Sequence, residues 1–199
     1  ARIIPPRLFT VLNISPATFL GPDGRRRVTI IAPEGMSLAR IEVRDDPASP
    51  RTNFFLDIAE THYHQMELSF CIINDPLAPR FAVDVDESGK DNAFTSLGRN
   101  IPEEIRAMQA GLFPNQTSRG LKLFGEFFAL FERFVDSLGM DIIMAEPLTY
   151  DNAIRYEKYG FDYLNGRGLM MEINREFRVG GMSHGCLLTR ASSGRRPFG

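Results

Sequence analysis

The chain has 199 residues, 43% of them hydrophobic and 24% charged, with a formal net charge of -2. Those values exclude a wholly disordered chain and leave no basic field to draw in nucleic acid or an anionic membrane. A single domain burying roughly 70% of its extended surface is the default for this length, and two cysteines, Cys71 and Cys186, offer neither a metal-site spacing nor a disulfide framework.

Only three of the 23 basic residues are lysines, Lys90, Lys122 and Lys158. No run of 18 or more apolar residues occurs, and ARIIPPRLF places prolines where a signal peptide needs an apolar stretch. The expected location is cytoplasmic, with no membrane partner.

Residues 1 to 53 are punctuated by Pro5, Pro6, Pro16, Pro22, Pro33, Pro47 and Pro50, which leaves room for short strands and no long helix. VTIIA (Val28 to Ala32) and LARIEVR (Leu38 to Arg44) are the strand candidates. Three apolar runs follow: FFLDIAE from Phe54, MELSFCII from Met66 and RFAVDVD from Arg80. Linkers of hairpin length join them, which predicts an antiparallel meander. In the third run Phe81, Val83 and Val85 share one face of the predicted strand and Asp84 and Asp86 the other.

SGKDNAFTSLGRN reads as loop. IPEEIRAMQAGLF predicts a short helix, with Pro102 at its start, Glu103 and Glu104 in the first turn and Gly111 as the stop. From Gln116 to Arg167 the chain reads as helix, strand, helix, strand. An Arg-Gly turn opens a helix whose stripe is Phe124, Phe127, Phe128, Phe131, Phe134, Val135 and Leu138, and Gly139 ends it. DIIMA (Asp141 to Ala145) suits a buried strand. Thr149 or Asp151 caps a helix running to Tyr159, closed by Gly160. FDYL and LMMEINREF are predicted strands around an Asn165-Gly166 turn, and residues 178–199 read as a flexible tail. The expected fold class is therefore α/β (α+β): one domain over residues 1–177, with a mixed, mostly antiparallel central sheet and helices on both faces.

At NAIRYEKYGF, Asn152 to Phe161, the chain resembles the GNAT superfamily of N-acyltransferases, whose late segment often reads as a helix ending in Tyr-Glu-Lys-x-Gly-Phe. The upstream order of antiparallel strands, Arg-Gly turn, long helix and strand is similar too, so the resemblance covers Phe54 to Phe177. It implies acyl transfer from acetyl-CoA or a longer acyl-CoA, or from an acyl carrier protein as in the related acyl-homoserine-lactone and N-acyl amino acid synthases, to a small-molecule amine. It also implies that the turn before the long helix holds the donor's phosphates. That places Gln116, Ser118, Arg119, Gly120 and Lys122 in the cofactor-binding set.

The family pattern there is Arg or Gln, two residues, Gly, one residue, Gly or Ala. One register puts Arg119 first, Lys122 at the first Gly and Phe124 at the second small position. The other puts Gly120 at the first Gly and Lys122 at the second. Neither restores both small residues, and the alternative for Gly120 is a plain helix-start glycine. Tyr156 aligns with the tyrosine that protonates the departing thiolate, with Tyr150 and Tyr159 as weaker candidates and a core-facing aromatic as the alternative. The base would come from Asp84, Asp86 or Glu60, with His62 or His64 as a further candidate.

Glu60, His62 and His64 form an E-x-H-x-H cluster that two imidazole ligands can use for zinc, but no third and fourth ligands are signalled nearby, so no metal is expected. GMSHG (Gly181 to Gly185) matches G-x-S-x-G without the strand, helix and later acid and histidine that a hydrolase needs. Asn13-Ile14-Ser15 and Asn115-Gln116-Thr117 match glycosylation sequons with nothing to indicate secretion. Besides the acyltransferase, two readings stand: an inactive GNAT-fold binding module, and a metal enzyme on His62 and His64. The oligomeric state, a homodimer included, is not legible in the sequence.

Overall fold

The computed structural model describes residues 2–49, 51–93, 95–113 and 115–176. The chain divides into two compact units, Ala1–Glu146 and Pro147–Gly199. The calls on residues 178–199, including GMSHG and Cys186, lie outside the described residues.

The first unit is built on a five-stranded sheet in the order β1 (Val28–Ile31), β2 (Leu38–Val43), β3 (Phe54–Glu60), β4 (Met66–Ile73) and β5 (Ile143–Ala145). The first four form an antiparallel meander, and β5 pairs β4 in parallel. This is the mixed, mostly antiparallel sheet of the expected α+β class.

Alternation along the strands sorts the two faces. Val28, Ile41, Val43, Phe54, Leu56, Ile58, Met66 and Leu68 are buried on one of them. Helix α3 (Phe124–Ser137) covers that face with Phe127, Phe128, Phe131 and Val135, and the Phe54 and Phe127 rings meet edge to face at 5.8 Å. The other face carries a paired row: Arg40 bonds both oxygens of Asp57 at 2.8 Å and lies 4.8 Å over the Phe55 ring, which packs on Phe70. Helix α1 (Pro6–Val11) buries Leu8 and Phe9 and docks on α3 through Arg7 N–H, which donates to Glu126 Oε1 at 3.3 Å.

Two segments differ from expectation. The run from Arg80 to Asp86 forms no strand, although its burial alternates as the sequence predicts. Phe81 and Val83 are buried against Ala107 of α2 (Ile101–Gln109) and Leu112. Backbone partners come from elsewhere: Phe81 N–H donates to Thr117 O at 2.8 Å, and Ala82 N–H to Glu103 Oε2 at 3.1 Å. A period of two records which side chains are buried, and packing on a helix satisfies it as well as a ladder does.

In the second unit α4 (Tyr150–Glu157) is capped by Thr149, whose hydroxyl accepts from Asn152 N–H, and Gly160 follows at φ 87°. FDYL is irregular, and LMMEINRE lies in a helix, α5 (Arg167–Glu176), instead of a strand. The residues are mostly good helix formers, and Gly166, at φ 80°, leads straight into the first turn, its carbonyl accepting from Met170 N–H. Among the described residues no helix is long and apolar enough to cross a membrane.

Candidate functional site

The expected phosphate-binding turn sits at the end of β4. Gly120 bridges Asn74: Leu121 N–H donates to Ile73 O at 3.3 Å and Asp75 N–H to Arg119 O at 2.9 Å. A Cβ on Gly120 would stand 2.9 Å from the Ile73 carbonyl oxygen, so the close backbone approach itself requires glycine here. The helix does not open on this glycine. It begins at Phe124, after Lys122 at φ 58° and the N-cap Leu123, which makes no side-chain capping bond. Lys122 thus holds the left-handed backbone that glycine adopts most readily. Its position is that of the first Gly in the Arg119–Lys122–Phe124 register.

Arg119 and Lys122 are exposed, and neither has an ion-pair partner among the described residues. Ser118 and Gln116 face inward. Ser118 is 1% exposed and its hydroxyl accepts from Arg51 Nη2 at 3.0 Å. Gln116 accepts from Phe113 N–H and donates to Ser118 O at 2.9 Å, closing the turn on itself. Arg51 also donates to the carbonyls of Asp75, Pro76 and Ala78. Sequence reasoning missed Arg51, because its partners lie 24 to 67 residues away.

Between this turn and β5 no strand among the described residues pairs with the edge of β4. Strand β5 pairs only Met66, Glu67 and Leu68, and a bulge shifts the β3–β4 register between Asp57 and Ile58, leaving Ser69 unmatched. Ladder alternation then turns the backbone N–H and C=O of Cys71 away from β3, toward the open edge. The Cys71 side chain, opposite Leu56, belongs to the core face; although the residue keeps some exposure, its thiol is enclosed, and burial pushes its pKa up, so it stays protonated.

The candidate acids have separate environments. Glu60 ends β3 opposite Met66, near the bulge, and its Oε1 lies 2.9 Å from His64 Nδ1 in the exposed hairpin turn. His62 is exposed on the same turn, and among the described residues no group of three or more His, Cys, Asp or Glu gathers to hold a metal. Asp84 is exposed and pairs with Arg80. Asp86 accepts from the Ser88 hydroxyl and from the backbone N–H groups of Lys90 and Ser88, bonds that hold its carboxyl below the usual range.

Compared with known proteins, the chain matches no family model, no curated protein and no solved structure.

Tyr156 belongs to the second unit, half-buried on α4, its ring centroid 5.1 Å from that of Phe161. Tyr150 starts the same helix and Tyr159 follows it. Next to them lies an open pocket of about 440 Å³ lined by residues that include Ile154, Glu157, Phe161, Tyr163, Arg167 and Met170. Tyr163 O–H donates to Glu157 Oε1 at 2.6 Å, and burial, reinforced by that carboxylate, pushes the Tyr163 pKa up to about 12. Tyr163 escaped the sequence reading because FDYL reads as a strand, which hides that it returns to Glu157 across the Gly160 turn.

Proposed function

We propose that the chain is an N-acyltransferase-like protein of the GNAT type, carrying an acyl group from a thioester to a small-molecule amine. The observation that carries this reading is the pairing of a glycine-like backbone at Lys122 with an open β4 edge directly beside it. A turn with two exposed cations and the start of α3 offers an anionic group both charge and backbone N–H groups. Beyond Leu68, Cys71 turns its backbone N–H and C=O to the edge that β5 does not cover, where an extended amide-containing chain can pair.

In this reading Arg119, Gly120 and Lys122 engage the phosphate end of the donor. The amine attacks the thioester carbonyl; the C–N bond forms, the C–S bond breaks, and a base in the first unit takes the proton leaving the amine and passes it to the departing thiolate. Glu60 suits that role best among the acids, because Asp84 is neutralised by Arg80 and Asp86 is committed to its own turn.

A second reading, a binding module that has kept this fold without catalysis, is favoured by Ser118 and Gln116, both occupied by internal hydrogen bonds. Calorimetry with acetyl-CoA, longer acyl-CoAs and an acylated carrier protein separates the two. The transferase reading expects saturable binding of at least one thioester, weakened about tenfold by Arg119→Ala, which corresponds to 1.4 kcal/mol. Binding of none of them would leave the module.

A further inference from the structure

The open pocket of the second unit joins an apolar lining to a single uncompensated charge. Helix α4 contributes Ile154 and Glu157, the turn after it Phe161 and Tyr163, and α5 Arg167 and Met170. The chain reverses at Gly160, φ 87°, so that Phe161 N–H donates to Tyr156 O at 3.3 Å and the Tyr163 hydroxyl reaches Glu157. Ile154, Phe161 and Met170 are half-buried, and the Tyr156 ring, 5.1 Å away, backs Phe161. A volume of about 440 Å³ is room for one small organic molecule.

The charges sort the ligands that fit. Glu157, Asp162 and Arg167 are the ionisable acid and base groups of the lining. Arg167 Nη1 lies 3.6 Å from Asp162 Oδ1, so those two offset each other. Glu157 has no ion-pair partner among the described residues. Its Oε1 accepts the Tyr163 hydroxyl at 2.6 Å, and with that phenol protonated up to about pH 12 the pair keeps one negative charge. A carboxylate that accepts one hydroxyl still has acceptor sites to spare. An anionic ligand would meet two carboxylates and a guanidinium already engaged, and a neutral apolar ligand would leave the Glu157 charge unanswered. A cation with an apolar body answers both features. Its charge is attracted by Glu157 and by the aromatic lining, and its body packs on Phe161 and the adaptable Met170 side chain.

We propose that this pocket binds an amphiphilic monocation of the alkyl- or arylammonium class, with Glu157 receiving the charged head and Ile154, Phe161 and Met170 the apolar body. The proposal does not rest on the acyltransferase reading: binding needs no reaction, and a quaternary ammonium serves as well as a primary one.

The test titrates the full chain by calorimetry with benzyltrimethylammonium, which has no N–H to acylate, and with phenylmethanesulfonate, which puts the opposite charge on the same ring. The cation is expected to bind at one site with a dissociation constant of about 1 mM or tighter, and at least about threefold more tightly than the anion. Glu157→Gln keeps an acceptor for Tyr163 and removes the charge; it should weaken the cation at least about threefold. Arg167→Gln removes the positive group from the lining and should leave the cation's affinity unchanged or raise it. A cation that binds more weakly than that limit, an anion that comes closer than threefold, a smaller loss in Glu157→Gln or any loss in Arg167→Gln overturns the proposal. Melting temperatures report whether the variants fold; should Glu157→Gln fail to, the cation-against-anion ratio and Arg167→Gln decide.

Discussion

Gly120→Ala tests whether the contact with Ile73 is what demands glycine. The new Cβ would stand 2.9 Å from the Ile73 carbonyl oxygen, and ordinary contact begins at 3.4 Å, so the two strands must part by about half an ångström. That displacement takes the Leu121 N–H to Ile73 O bond, already 3.3 Å, out of hydrogen-bonding range, and strains the 2.9 Å bond from Asp75 N–H to Arg119 O. Each backbone hydrogen bond contributes about 0.5–1.5 kcal/mol net, and alanine returns about 0.4–1 kcal/mol by stiffening the unfolded chain. The net loss is about 1 kcal/mol. Urea denaturation followed by circular dichroism should show a lower midpoint at unchanged slope, and the melting temperature should fall by about 2–4 °C. Amide exchange at Asp75 and Leu121 should accelerate ahead of the rest of β4. A variant as stable as the parent, with those two amides still protected, would refute the contact as the reason for glycine.

Arg51→Ala should lose about 2 kcal/mol, the scale for hydrogen bonds from a charged donor, while Ser118→Ala, which removes only one of Arg51's acceptors, should lose less than about 1 kcal/mol; equal losses in chemical denaturation would mean that Arg51 does not act as the clamp. Lys122→Gly removes the cost of a left-handed lysine, about 1–2 kcal/mol, so its stability should match or exceed the parent's even after the greater flexibility of glycine; a clear drop in denaturation midpoint contradicts the backbone at this position. In alkaline spectrophotometric titration one of the five tyrosines should ionise late, near pH 12, and Tyr163→Phe should abolish that phase. Because the Tyr163 pKa is raised above the ordinary 10.0, its stabilising contribution is complete below about pH 10 and is lost as pH climbs through about 12; a midpoint that falls no faster in the parent than in Tyr163→Phe over that window would refute it.

Strands β3 and β4 were legible residue for residue, because two alternating apolar runs separated by a five-residue polar linker have few other ways to bury one face. The start and stop of α2 and the cap of α4 were legible for a similar reason: Pro102, Thr149 and the glycines after each helix act locally, whereas the Asn100 cap of α2 was read as loop. Where the sequence misled, the competing structures shared one pattern. Phe81 and Val83 are buried by α2 and not by a neighbouring strand, and the Asn165-Gly166 pair, a hairpin signal, instead starts α5.

The candidate site divides along the same line. The resemblance marked Arg119, Gly120 and Lys122, and periodicity placed a helix after them, since short motifs and periodicity are local properties. Three other facts were settled by tertiary structure. Gly120 is required by the carbonyl of Ile73, 47 positions earlier. Ser118 is drawn inward by Arg51, and β5 stops at Leu68 and leaves the rest of β4 open. These depend on contacts between segments distant in the chain, and no local pattern encodes a distance between two pieces of backbone that meet only when the sheet has formed.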